Sequence, residues 1–355
     1  NHFARVGAVG GTDLLLVFWA LKLPAAGDRL SGIARSYPAV RNSLLRQMEP
    51  LDAPDDETGN ETPRFASAEG PARIDISGGR VLAGGHEILR EVNLSIEPGE
   101  HVAIVGKSGA GKSSLLGLLL GWHRLEEGRL LVDGAELDAE ALARLRLDTA
   151  WVDPQVQLWN RTLLDNLTYA VDDRNLGRVR SLVEASGLMG VSSRLPQGLQ
   201  TPLGEGGGLL SGGEGQRVRL GRALLSDSSR LALLDEPFRG LDREQRRDLL
   251  KSARQWWKDT TLLCVTHDIS ETLSFGRVLV VEGGRIVEDD HPARLAERPS
   301  RYRALLEAEY RVRARMWSDD RWHRVRVEGG TVSQDGEPHG GRAHDGYRAE
   351  LTGAP

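Results

Sequence analysis

A single cysteine, Cys264, stands in 355 residues, so no disulfide can form within the chain. Its place in the run Thr261-Leu262-Leu263-Cys264-Val265-Thr266 reads as a buried, unreactive strand thiol. Positive charge is not in excess: 46 Lys and Arg face 51 Asp and Glu, a formal net charge of −5, which argues against a nucleic-acid partner. A clean run of about 20 apolar residues is also missing. Val6 to Ala26 comes nearest, ending in Leu14-Leu15-Leu16-Val17-Phe18-Trp19-Ala20-Leu21, but Asp13 and Lys22 interrupt it. No basic region followed by an apolar stretch and a small-residue cleavage site is seen, and the chain opens on Asn1, so it reads as a piece of a longer protein. The 39% of apolar residues suffices to fill the core of one large domain or two smaller ones.

Beyond the apolar stretch, Leu30, Ile33, Ala34 and Tyr37, then Val40, Leu44, Leu45 and Met48, recur at helical spacing, which predicts a helix bent at Pro38. Residues 52–71 turn acidic and rich in Pro, Gly, Thr and Ser, the composition of a linker. From Ala72 short β-rich runs alternate with helical segments, which predicts an α/β domain with a largely parallel sheet. His101–Val105, Leu231–Leu234 and Leu262–Val265 are apolar at consecutive positions, as strands covered on both faces are. Between Gln155 and Ser228 helical segments dominate. The stretch from Arg311 to Val327 reads as room for a short hairpin, and the Gly, His, Asp and Glu beyond Glu328 as disorder.

Gly106-Lys107-Ser108-Gly109-Ala110-Gly111-Lys112-Ser113 fits G-x-x-x-x-G-K-[ST] at every fixed position, between a predicted strand and a predicted helix. Glycines there let backbone N–H groups cradle phosphates at a helix N-terminus. The phosphate-binding set is Gly106, Ser108, Gly109, Gly111, Lys112, Ser113 and Ser114, with Lys112 on the β- and γ-phosphates and Ser113 on Mg²⁺. Downstream, Leu231-Ala232-Leu233-Leu234 ends in Asp235-Glu236. Alone this pair reads equally as a solvated strand end; behind a phosphate loop, Asp235 supports the metal and Glu236 polarises the attacking water. Between the two motifs, Leu210-Ser211-Gly212-Gly213-Glu214 opens a helical run, an anion-binding terminus.

Together these residues resemble the ATP-binding cassette (ABC) superfamily, whose signature L-S-G-G-[QE] matches Leu210 to Glu214. The resemblance implies an α/β phosphate-loop NTPase core with a mainly parallel sheet, an antiparallel β subdomain and a helical signature subdomain, preceded by a membrane-exit helix. It implies that Ser211, Gly212 and Gly213 of one cassette close over ATP held by another, so the partner is a second cassette, homo- or heterodimeric. His267, in Val265-Thr266-His267-Asp268, resembles the family's γ-phosphate-sensing histidine, and Asp242 the aspartate of its D-loop. Leu195-Pro196-Gln197-Gly198-Leu199-Gln200-Thr201-Pro202-Leu203-Gly204-Glu205-Gly206-Gly207 resembles the segment before the signature in exporter cassettes, where the Glu touches membrane helices. The implied organisation is the end of a transmembrane domain at 1–51, a linker at 52–71, the nucleotide-binding domain at 72–315 and a partly disordered extension at 316–355. The implied activity is ATP hydrolysis with Mg²⁺, driving export across the cytoplasmic membrane from the cytoplasmic face.

Three departures stand out. Val152-Asp153-Pro154-Gln155 puts Pro154 where the family's glutamine loop has Gln, leaving Gln155 as the substitute for nucleotide and metal contact. Arg239 and Gly240 replace the Ser and Ala usual before Leu241-Asp242, and no aromatic occupies 81–83, where the family stacks one on adenine. The competing readings are a soluble ABC ATPase in DNA repair or translation and a regulatory cassette with little turnover.

Overall fold

The computed structural model describes residues 11–48, 69–153, 157–169, 177–226, 229–317, 325–328 and 331–334. The chain divides into two units, Asn1–Thr62 and Pro63–Pro355. In the first, α1 (Gly11–Met48) is one 38-residue helix, about 57 Å at the usual rise. It runs through Pro24 and Pro38, so the expected bend does not end it. Leu14, Leu15, Leu16, Phe18 and Trp19 are all exposed. Among the described residues no helix is long and apolar enough to cross a membrane.

In the second unit, three two-residue turns explain the antiparallel pairing. Gly84-Gly85, Asp133-Gly134 and Gly283-Gly284 all have positive φ at both positions, the conformation whose twist suits a tight hairpin. The first joins β1 (Ile74–Ala83) to β2 (His86–Ile96). The second joins β4 (Glu127–Val132) to β5 (Ala135–Glu136), completing a four-stranded antiparallel sheet in the order β2-β1-β4-β5. The third joins the last two strands of the other sheet, β9 (Arg277–Glu282) and β10 (Arg285–Asp290).

That second sheet has six strands in the order β10-β9-β3-β8-β7-β6. Here β3 is His101–Val105, β6 Thr149–Val152, β7 Leu231–Asp235 and β8 Thr261–Val265, and every pairing except β9–β10 is parallel. All five residues of β7 and of β8 are buried, as apolar runs covered on both faces should be. Alternate residues enter different cores: Ala103, Val105, Leu262 and Cys264 join the one beneath the helices, Val102, Ile104, Leu263 and Val265 the one shared with the antiparallel sheet. The expected helical region holds α4 (Leu163–Leu167), α5 (Val179–Ala185), α6 (Met189–Arg194) and α7 (Gly212–Leu224), after α2 (Lys112–Leu119) and α3 (Ala139–Leu147). Towards the C-terminus lie α8 (Arg243–Trp256), α9 (Pro292–Glu297) and α10 (Arg301–Trp317). A hairpin of Val325–Glu328 and Thr331–Gln334 follows. It extends past Glu328, where sequence composition alone had suggested disorder.

Candidate nucleotide site

The phosphate loop leaves β3 at its C-terminal end and turns into α2. Gly106 sits at φ 150°, and a Cβ there would lie 2.2 Å from the carbonyl oxygen of Val281, so only glycine permits this approach to β9. Gly111 caps α2 at φ 103° with Ile88 O 2.9 Å from where a Cβ would be. Strand β2 thus lies against the loop from one side and the Gly283-Gly284 turn from another: Gly284 N donates to Ala110 O at 2.9 Å. The buried Lys112 Nζ donates to the loop carbonyls of Gly106 (3.0 Å) and Lys107 (2.9 Å). Burial lowers its pKa, opposed by the nearby Glu236 and Asp235 carboxylates.

Asp235 ends β7 with 9% exposure. Burial pushes its carboxyl up, Asp153 and Glu236 add to this, and a hydrogen bond from the Ser113 hydroxyl and the charge of Lys112 oppose it. The next residue takes an unusual backbone: Glu236 has φ 44°, one of three non-glycine residues at positive φ among those described. Its N–H donates to Val265 O at 3.0 Å, tying the strained residue to β8. The turn brings its carboxylate to His267, with Oε1 2.6 Å from Nε2, while Arg239 stands 4.0 Å from the other oxygen.

Lys112, Glu236 and His267 border a cleft of about 340 Å³ that the phosphate loop and the Gly283-Gly284 turn also line. Gly109, Gly111, Lys112, Ser113, Ser114 and Ser108 all line it, as the sequence motif requires. Three further lining residues, Glu87, Ile88 and Arg90, come from β2 and were not anticipated, because no contiguous motif marks them. Val81, the first of the positions expected to face adenine, is fully buried in the core. A second cleft, about 380 Å³, lies behind His267. There Arg246 pairs with Asp268 and holds Glu271 Oε1 at 3.3 Å. Burial, with Asp268 and Glu309 adding to it, raises the Glu271 carboxyl to about 7 against the pull of Arg246 and Arg243. Burial likewise keeps the Cys264 thiol protonated, in accord with an unreactive strand cysteine.

The signature residues sit elsewhere. Ser211 caps α7 in a capping box: its Oγ accepts from Glu214 N at 3.3 Å, and Glu214 Oε2 accepts from Ser211 N at 2.9 Å. Burial works against the Glu214 charge, but the Ser211 bonds and the Arg194 ion pair outweigh it and hold the carboxyl low. Gly212 borders open space, while a Cβ on Gly213 would lie 2.4 Å from Leu241 Cδ2. Ser211, Gly212, Gly213 and Asp242 do not line the phosphate-loop cleft. Asp242 Oδ1 accepts from Gln245 N at 2.9 Å and caps α8. Pro154 and Gln155 lie outside the described residues.

A family model described as ABC transporter matches residues 89–239. An ATP-dependent lipid A-core flippase of Hahella chejuensis is 39% identical over 227 residues, covering 64% of this chain and 39% of that protein. Another, of Alkalilimnicola ehrlichii, is 32% identical over 302 residues, covering 85% of this chain and 51% of that protein. The chain thus spans about half the length of the curated relatives it matches, or less. A solved structure of a bacterial Atm1-family ABC exporter with ATP bound superposes with a TM-score of 0.66 at 26% identity, over 84% of this chain and 52% of that one.

Proposed function

Since this chain belongs to the ABC transporter family through its ATP-binding domain, we propose that it binds and hydrolyses ATP to drive export across the cytoplasmic membrane, with the cassette on the cytoplasmic face. The observation that carries the hydrolytic reading is the Glu236–His267 pair, 2.6 Å apart at the edge of the phosphate-loop cleft. A carboxylate there can accept a proton from the water that attacks the γ-phosphate, while Lys112 neutralises charge on the phosphates and His267 bonds the γ-phosphate. Among the described residues Lys112 Nζ bonds the backbone carbonyls of Gly106 and Lys107 in its own loop, an arrangement that incoming phosphate oxygens can replace.

The donor chemistry fits Mg²⁺. The Ser113 hydroxyl at the loop's end and the Asp235 carboxylate at the end of β7 are two hard oxygen groups, the first favouring the charged form of the second, and these would hold the ion. When bound it would neutralise developing charge on the phosphates. Gln155 is the further candidate ligand.

Completion of the site calls for a partner. Ser211, Gly212 and Gly213 present a capped helix start away from this chain's own phosphate loop, so the reading assigns them to ATP held by a second cassette. Glu205, exposed between Gly204 and Gly206, is assigned to contact with a transmembrane domain, and the exposed apolar stretch of α1 to the end of such a domain.

The test is Glu236→Gln, which keeps shape and polarity but removes the base. Phosphate release should fall by about 10² or more while ATP binding, followed by calorimetry, survives. Near-normal turnover in the purified variant removes Glu236 from the catalytic role.

A further inference from the structure

We infer that Arg90 is the surface on which the purine rests, in place of an aromatic ring; this builds on the ATP-binding reading above. The positions where a stacking aromatic was expected carry none and stand outside the cleft lining. Val81 is fully buried, Leu82 pairs with Glu87 and Ala83 with His86 at the tip of the β1–β2 hairpin, and none of 81, 82, 83 or 86 lines the phosphate-loop cleft. The β2 residues that do line it are Glu87, Ile88 and Arg90. Of these, only Arg90 carries a planar π-system on a side chain long enough to cover a base.

Arg90 is also held in position. Its backbone N–H donates to Gly284 O at 2.8 Å, and Gly284 in turn donates to Ala110 in the phosphate loop at 2.9 Å. Its guanidinium is anchored at one edge, with Nε 2.8 Å from Glu87 Oε2. Glu87 is fixed by Arg80, whose Nε lies 2.8 Å from Oε1 and whose other arm reaches Glu127 at 2.6 Å. The Arg90 side chain keeps 48% of its surface exposed. A guanidinium held at Nε on a half-exposed side chain suits stacking, because the plane is preset and the cation attracts the electron-rich face of a purine. A lysine at this position would supply the same charge and no plane.

The experiment is calorimetric titration of the full chain with Mg·ATP and, separately, with Mg·tripolyphosphate, which has the phosphates and no base. Arg90→Ala should weaken ATP binding by about tenfold and leave tripolyphosphate binding within about twofold, the loss expected for one stacked base. Arg90→Lys should behave as Arg90→Ala towards ATP. Arg90→Trp should restore ATP affinity and show indole fluorescence quenching with ATP but not with tripolyphosphate. Equal losses for both ligands in Arg90→Ala would make Arg90 a phosphate contact and overturn the inference, as would Arg90→Lys matching the parent. An Arg90→Ala chain that binds ATP like a binding-competent parent also overturns it and spares the ATP reading. A parent that binds neither ligand overturns both.

Discussion

Glu236 and Glu271 are two carboxylates in different surroundings. Glu236 sits at the cleft edge against His267, whereas Glu271 faces Arg246 behind it, its side chain 7% exposed. Burial raises the Glu271 pKa from its ordinary 4.5 to about 7, so the folded protein binds this proton more tightly than the unfolded chain. Its contribution to stability is therefore undiminished at pH below about 4.5, falls as pH rises towards 7, and is at its least favourable above 7. Glu271→Gln should flatten this: comparing melting temperatures at pH 6 and 8, the parent loses more than the variant over that interval. Equal losses would show that Glu271 is not the titrating group. A second expectation at this scale concerns the base. A guanidinium face or an aliphatic contact stacks on any purine without reading its edge, so ATP and GTP should bind within about tenfold of each other. Strong preference for ATP in competition binding would require a base-edge contact from another residue. Lys112, Ser113, Asp235 and Glu236 were legible in the sequence because each belongs to a contiguous motif whose spacing the chemistry dictates. Arg90 and Glu87 were not, because they reach the cleft only through the packing of β2 against the loop. Asp242 shows the converse: the sequence places it in a family motif, and the bond its side chain makes in this structure is a helix cap.

The elements were legible to different degrees for similar reasons. β3, β7 and β8 follow directly from short apolar runs, since a strand covered on both faces has no polar positions to disguise it. The antiparallel sheet is harder to see, as its register slips at Gly79, Val81 and Leu82 and spoils any simple alternation. The helix α7 is anchored at its start by the Ser211–Glu214 box and by the close approach of Gly213 to Leu241. Gly213→Ala would place a methyl 2.4 Å from Leu241 Cδ2, so Leu241 or the helix must shift. The variant should lose about 1–3 kcal/mol in urea denaturation, the range for overpacking. Gly212→Ala, one residue earlier and facing open space, should lose much less, which separates crowding from a general intolerance of side chains at the helix start.

At the scale of the molecule, the proposed reading pairs the phosphate loop of one chain with the signature of another, two chains per pair of sites. The Glu236→Gln protein, able to bind ATP but slow to consume it, should scatter light as a monomer without nucleotide and as a dimer with Mg·ATP. A chain that stays monomeric at saturating ATP would point to a different cassette as its partner. The central sheet carries a further consequence. Along β3, β7, β8 and β9, successive residues feed opposite cores, Val102 one and Ala103 the other, Leu263 one and Cys264 the other. Neither core owns any of these four central strands, so neither can melt and leave the other standing. The antiparallel and helical parts on the two faces should accordingly unfold together, in one calorimetric transition whose van't Hoff and measured enthalpies agree. Cooperativity of this kind is set by the period of two in a β-strand and not by the strength of any single contact.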